Sequence, residues 1–273
     1  MRYKNKINLL KAKKDNLSRY QHENLTSDNE IEVIYEDIMM KLYGIANDAV
    51  NQLEKEQIDL MDYYTMWVHQ IKTPISAMSL CLSDKENINI NLMQRELFKI
   101  EQYVEMALQY IKMNQLSSDL LIKEYELEKI VKDCVKKYAV LFIYKKIRLE
   151  LKTPSISVIT DSKWFSFVME QLLSNAIKYT SEGGVIKILW EEDKLILEDT
   201  GIGIRTEDIE RIFEKGYTGY NGRLDKKASG IGLYLVKRVC HSLAIQVRIQ
   251  SELGIGTKVE LIFPKSENKF IYE

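Results

Sequence analysis

The sequence predicts an α+β chain: an antiparallel helical hairpin that dimerises into a four-helix bundle, followed by an α/β sandwich. Three observations predict it. Over the first part, apolar residues recur at heptad spacing with almost no Gly or Pro. Near residue 125 the pattern changes to helices alternating with short runs of Val, Ile and Leu. At 273 residues the chain can bury one large core or two modest ones, and the change of pattern favours two. The segments are 1–53, a basic stretch and a connecting helix; 54–124, the hairpin; 125–265, the sandwich; and 266–273, a tail.

The net charge of −1 hides an asymmetry, because residues 1–20 carry Arg2, Lys4, Lys6, Lys11, Lys13, Lys14 and Arg19 against one acid, Asp15. Such a cluster suits a juxtamembrane segment beside anionic headgroups, or a plain solvated tail. Nucleic acid is not expected as a direct partner, since no aromatic-basic surface or recognition motif follows. Ile31, Ile34, Ile38, Leu42 and Ile45 then keep helical spacing for a helix running into the hairpin.

In the hairpin, Met61, Val68, Ile75 and Leu82 fall seven apart with Tyr64, Ile71 and Met78 between them. His69 follows Val68, so its imidazole flanks the seam and reaches solvent. Pro74 removes a backbone donor and frees a carbonyl in the turn beside that histidine, which predicts a local bend. Residues 83–89 read as a polar turn. A second stripe runs through Leu97, Val104 and Ile111, with Ile100 and Ala107 between. Two helices alone leave each stripe half exposed, and a second copy closes the core as a homodimer.

In the second part, residues 127–143 read as a helix, and 147–151 and 156–159 as short strands. Asp161 is a fair N-cap for a helix that packs through Trp164, Phe167, Val168, Leu172 and Leu173, with Asn175 and Lys178 off that face. Strands are expected at 185–190 and 195–198, then a glycine loop, a lysine- and glycine-rich lid, a helix from about Ile231, and strands at 245–250 and 257–263.

The residues on these elements suit a nucleotide. An amide oxygen at Asn175 can bind Mg²⁺ without adding negative charge beside a triphosphate, and Lys178 can neutralise phosphate oxygen. Tyr179 offers a flat face to adenine. Asp199 ends a strand and meets Gly201 and Gly203, which let base and backbone approach; its carboxylate can accept from the adenine amino group. Gly230 and Gly232 open a helix whose free N–H groups and positive dipole end suit phosphates. Each signal is common alone, and only their order and spacing are informative. Neither the dinucleotide GxGxxG nor the P-loop GxxxxGK[ST] pattern is present, and the HRD and DFG motifs are missing. Cys81, Cys134 and Cys240 lack metal-ligand spacing and read as buried reduced thiols. The longest apolar run, near 138–144, falls short of the roughly 20 residues that cross a bilayer.

On these residues the chain resembles the bacterial two-component sensor histidine kinases. The resemblance is carried by His69-Gln70-Ile71-Lys72-Thr73-Pro74, Asn175-Ala176-Ile177-Lys178-Tyr179, Asp199-Thr200-Gly201-Ile202-Gly203 and Gly230-Ile231-Gly232-Leu233. It covers residues of about 35–265 and implies an ATP-binding domain of the gyrase, Hsp90 and histidine kinase type. Met66-Trp67-Val68 before His69 and the compact lid Phe213-Glu214-Lys215-Gly216-Tyr217-Thr218 are similar to the bacitracin-resistance type, which works with peptide-antibiotic ABC transporters. The resemblance implies a cytoplasmic portion at the membrane whose anchor precedes Met1, sensing of antimicrobial peptides or envelope stress, and a response regulator as partner. It implies ATP and Mg²⁺ as cofactors, His69 as the autophosphorylated residue and Asn175 as the magnesium ligand. Lys178, Tyr179, Asp199, Gly201, Gly203, Phe213, Lys215, Gly230, Gly232, Leu233 and Thr257 are implied as nucleotide contacts.

Two positions depart from the family's commonest pattern. Gln70 stands where most such kinases put Glu or Asp, and an amide cannot take a proton as a carboxylate does, so the general base is left open. Gln171 occupies the earlier asparagine position. Gln70 remains a candidate to orient His69, and Thr73, one turn on, to position water in a phosphatase mode. A non-enzymatic ATP-gated module and an ATPase clamp are the rival readings; the clamp leaves the exposed His69 without a role.

Overall fold

The computed structural model describes residues 30–83, 89–113, 120–219 and 230–264. The basic stretch 1–20, most of the polar turn, the middle of the lid and the tail 266–273 lie outside the described residues. The chain divides at Asp62 and Tyr63 into an N-terminal unit and a larger compact unit. No helix among the described residues is long and apolar enough to cross a membrane.

Helix α1 is Glu30–Ser83 and helix α2 is Ile90–Lys112. In the N-terminal unit, the predicted stripe residues Ile34, Ile38, Leu42 and Ile45 are all exposed. In the larger unit, α1 runs helically through Pro74, which cannot donate to the Gln70 carbonyl. Asn89 caps α2 by accepting from Leu92 N at 2.9 Å. The two helices meet through the Tyr63 and Tyr110 rings, stacked at 4.0 Å, and through Trp67 Nε1, which donates to the Tyr103 carbonyl at 2.8 Å. Val68, Ile75, Leu82, Leu97, Val104 and Ile111 stay exposed, from 39% at Val104 to 55% at Val68. That leaves one apolar face of the hairpin without cover in a single chain.

The elements after the hairpin are β1 (Lys123–Glu126), α3 (Leu127–Lys137), α4 (Ala139–Tyr144), β2 (Arg148–Lys152), β3 (Ser157–Thr160), α5 (Ser162–Tyr179), β4 (Val185–Glu191), β5 (Lys194–Asp199), α6 (Thr206–Ile209), α7 (Gly232–Ser242), β6 (Gln246–Glu252) and β7 (Gly256–Ile262). β1 and β3 form a two-stranded antiparallel ribbon, and the other five strands form a sheet in the order β2-β4-β5-β7-β6. Among the described strands only β2 and β4 pair in parallel. Helix α5 packs beside α3 and α7, and its Phe165, Val168, Met169 and Leu173 are fully buried with Ile186, Ile188 and Leu195 of the sheet. This is an α/β sandwich preceded by helices.

One expectation is corrected and one strand is new. The helix expected over 127–143 breaks at Tyr138, whose φ and ψ are −92° and 1°. The run 139–144 is apolar all round and cannot extend the amphipathic α3 on one face. The break turns Phe142 into the core instead. Strand β1 escaped the sequence reading because it consists of Lys, Glu and Tyr, with only Tyr125 partly buried, so it carries no apolar alternation.

Candidate functional site

Helix α5 sets one wall of a cleft. Asp161 caps it by accepting from Lys163 N at 2.9 Å and Trp164 N at 3.0 Å, and also accepts from Leu121 N at 2.8 Å. Its apolar side anchors in the core, so Gln171, Asn175 and Lys178 fall on the other side, and all of them line the cleft. Asn175 is half-buried and Lys178 exposed. The Lys178 ammonium lies 5.1 Å from the Tyr179 ring centroid, so the face expected to meet adenine carries a cation.

The floor of the cleft comes from the sheet. Asp199, at the end of β5, pairs with Thr257 of β7. Its Oδ1 accepts from Gly201 N at 2.8 Å, and Thr257 N also donates to the carboxylate. Burial nevertheless outweighs these bonds and pushes the Asp199 carboxyl up to about 6. Leu197, Ile249 and Val259 make the surrounding wall apolar. The glycine loop is held by backbone bonds on both sides, Ile202 N to Tyr179 O at 3.2 Å and Gly254 N to Ile202 O at 2.8 Å. Ser251 ties it further, accepting from Ile204 N at 2.8 Å and lying 2.9 Å from the Thr257 hydroxyl. Gly203 has φ +69°, and a Cβ there would sit 2.0 Å from the Glu252 carbonyl oxygen, so the loop passes the β6–β7 turn at a distance only glycine permits.

The open side is framed by the lid's two ends. Gly216 N donates to the Gly230 carbonyl at 3.1 Å, which closes the neck. Tyr217 donates its hydroxyl to the buried Asp208, while the Arg211 guanidinium lies 4.3 Å from the Tyr217 ring centroid. Among the described residues no side chain caps the start of α7, where Gly230, Gly232 and Leu233 line the cleft.

His69 is exposed and lines a second, larger chamber of about 610 Å³ with Gln70, Thr73, Arg95, Glu96 and Lys99 of the hairpin. Leu141, Tyr144, Lys145, Ser174, Ile177 and Lys178 of the sandwich form its opposite wall. Gln70, Tyr103, Ser174 and Lys178 line both the chamber and the cleft, so the two cavities adjoin. The Thr73 hydroxyl donates to the His69 carbonyl at 3.3 Å.

The structure thus brings Gln70, Asn175, Lys178, Tyr179, Asp199, Gly203, Gly230, Gly232, Leu233 and Thr257 to one cleft, and His69, Gln70, Thr73 and Lys178 to one chamber. Gly201 packs beneath, against Asp199 and Tyr179, without lining either space. Phe213 and Lys215 are not brought to them: the Lys237 ammonium lies 5.4 Å from the Phe213 ring centroid, and the Lys215 ammonium 5.6 Å from that of Tyr110 in the hairpin. Tyr103, Ser174, Asp208 and Tyr217 line the site without having been read as site residues. Tyr103 looks like hairpin packing and Ser174 like a solvated helix position, and only their place beside Gln70 and Asn175 in the fold marks them.

The profile of histidine kinase-, DNA gyrase B-, and HSP90-like ATPases matches residues 160–267. The chain is 34% identical over 253 residues to the sensor protein BceS of Halalkalibacterium halodurans, an alignment covering 90% of this chain and 74% of that protein. It is 30% identical over 230 residues to the sensor histidine kinase YxdK of Bacillus subtilis, covering 82% and 71%. It is 31% identical over 265 residues to the sensor histidine kinase GraS of Staphylococcus haemolyticus, covering 90% and 76%.

Proposed function

The chain belongs to the bacterial sensor histidine kinases, with relatives of the BceS, YxdK and GraS type and an ATP-binding domain of the gyrase and HSP90 class, and from that premise we propose that it transfers the γ-phosphoryl group of ATP to His69. The adjoining of the His69 chamber and the nucleotide-type cleft through Gln70, Tyr103, Ser174 and Lys178 carries this reading. The cleft alone, at about 220 Å³, is smaller than the roughly 300–1,000 Å³ typical of ligand pockets, whereas the chamber is within that range. A nucleotide with its base at Asp199 therefore runs its phosphates past Lys178 toward His69.

In this reading Asp199 accepts from the adenine amino group, and Lys178 and the start of α7 hold the phosphates. Asn175 fits a magnesium site: it lines the cleft with an uncharged amide oxygen, and Mg²⁺ beside nucleotide characteristically takes few protein oxygens, with phosphates and waters as its other ligands. When bound there, Mg²⁺ neutralises phosphate charge. A His69 ring nitrogen forms the bond to the γ-phosphorus as the bond to the bridging β,γ-oxygen breaks, and the other nitrogen is oriented by a neighbour, for which the adjacent Gln70 is the candidate.

The proposal extends to four further points. The phosphoryl group passes to an aspartate of a response regulator. Thr73, whose hydroxyl lone pairs can still accept while it donates to the His69 carbonyl, positions water in a phosphatase mode. The exposed stripe through Val68, Ile75, Leu97 and Val104 supports a homodimeric four-helix bundle. The stimulus is antimicrobial peptide or envelope stress, with a peptide-antibiotic ABC transporter as partner, by resemblance to the bacitracin-resistance type.

The test is labelling of the purified chain with γ-labelled ATP and Mg²⁺. Acid-labile, alkali-stable label on the wild type and its loss in His69→Gln, with ATP binding retained, is the expected result. Label persisting in His69→Gln would remove His69 from the mechanism.

A further inference from the structure

The stretch from Tyr138 to Lys145 touches the hairpin on one side and the nucleotide helix on the other. Tyr138 is fully buried, its hydroxyl donates to Gln102 Oε1 at 2.5 Å, and its ring stands edge-on to Phe98 at 5.2 Å, so both contacts are with α2. Six residues on, the Arg95 guanidinium of α2 lies 4.2 Å from the Tyr144 ring centroid. Arg95 is steadied by Glu96 Oε1 at 3.3 Å, and Glu96 in turn is held by Lys99 at 2.6 Å. The next residue, Lys145, donates from Nζ to the carbonyls of Ile177 at 2.6 Å, Lys178 at 2.9 Å and Thr180 at 2.8 Å. A cation there satisfies the last carbonyls of α5 and complements its dipole.

One short helix with its flanking residues therefore ties α2 to the end of α5 that carries Asn175, Lys178 and Tyr179. Tyr144 is 59% exposed, so its ring serves the contact with Arg95 rather than a core. Arg95, Tyr144, Lys145 and Lys178 line the same chamber as His69.

We propose that Tyr138, Tyr144 and Lys145 are positioning residues for phosphoryl transfer, which fix the end of α5 at a set distance from the helical face presenting His69. The inference rests on His69 being the acceptor. Its physical basis is that a misplacement of about 1 Å between reacting partners can cost roughly a hundredfold in rate, whereas Tyr144 is not among the residues lining the cleft proposed for the base, so its loss leaves nucleotide affinity largely unchanged.

The experiment compares wild type with Tyr144→Leu, Tyr144→Trp, Tyr138→Phe and Lys145→Met in the full chain, reading kcat and KM for labelling of His69 and the Kd of a fluorescent ATP analogue. Tyr144→Leu is expected to lower kcat by about tenfold or more while the Kd stays within about twofold. Tyr144→Trp, which keeps an aromatic face for Arg95, restores the rate. Thermal melts check folding, and the exposed Tyr144 decides the matter if Tyr138→Phe does not fold. An unchanged kcat in Tyr144→Leu overturns the proposal, as does a loss of rate matched by an equal loss of analogue affinity. A wild type unlabelled at His69 overturns the underlying reading as well, whereas a labelled wild type with indifferent Tyr144 variants overturns the positioning role alone.

Discussion

On the proposed reading Asp199 joins two demands in one carboxyl group, since it is buried enough to resist ionising and lines the cleft assigned to the nucleotide. With its carboxyl pushed up to about 6 in the folded protein, it holds a proton that the unfolded chain, near the ordinary value of about 4, has already released. The unfolded state then binds fewer protons between those values, so stability falls as pH rises from about 4 to about 6 and levels off above. Urea melts should show that leg in the wild type and lose it in Asp199→Asn. Nucleotide binding should run the other way, weakening as pH drops through about 6, because a protonated carboxyl is a poorer acceptor for the adenine amino group; titration calorimetry between pH 5 and 8 measures it. Gln70, half-buried between the two cavities, gives a second test. Gln70→Ala should lower autophosphorylation by about tenfold to a hundredfold, at the lower end of what a positioned polar partner supplies, and Gln70→Glu should keep or raise it. An unchanged rate in Gln70→Ala would refute the orienting role.

Among the elements, those whose residues speak through local chemistry were the ones legible in the sequence. Helix α5 could be placed from the Asp161 cap and the split between its apolar face and Asn175 with Lys178, and the later strands could be placed along the chain from their runs of Val, Ile and Leu. The break at Tyr138 could not, because it depends on packing, with Phe142 turned into the core and the Tyr138 hydroxyl on Gln102 of another element, and strand β1 could not, because a charged ribbon has no apolar period. The same division holds at the site: Gly203, Gly230, Gly232 and Asp199, which the structure brings to the cleft, stand in motifs of their own, whereas Gly201 stays beneath it and Tyr103 and Ser174 acquire their place only from packing. The glycine loop and the β6–β7 turn it passes yield a contrast between two positions of positive φ. Gly203→Ala would drive a Cβ to 2.0 Å from the Glu252 carbonyl, while Gly254→Ala, with φ +82°, meets nothing within 4 Å. Gly254→Ala should therefore cost only the left-handed penalty of about 1–2 kcal/mol, and Gly203→Ala clearly more, together with the nucleotide site. Denaturant melts of the two variants decide it, and equal losses would mean that the loop yields.

For the molecule as a whole, the exposed face of the hairpin is the feature a second copy best accounts for. Val104→Glu should shift the chain toward monomer in sedimentation equilibrium, since a carboxylate in an apolar seam is left without a partner. A wild type that is already monomeric at micromolar concentration would count against the bundle. The Gly216–Gly230 bond has a consequence on a different timescale. A loop whose ends are fastened together by the folded body is charged mainly for closure, which grows by only about 0.6 kcal/mol for each doubling of length. The two lid ends stand 3.1 Å apart, N to O, whatever joins them, with Tyr217 anchored on Asp208 beside them. Chains of this fold can therefore exchange, lengthen or trim the intervening residues over evolutionary time while α7 keeps its place, and an engineer could graft a foreign lid at the same two glycines.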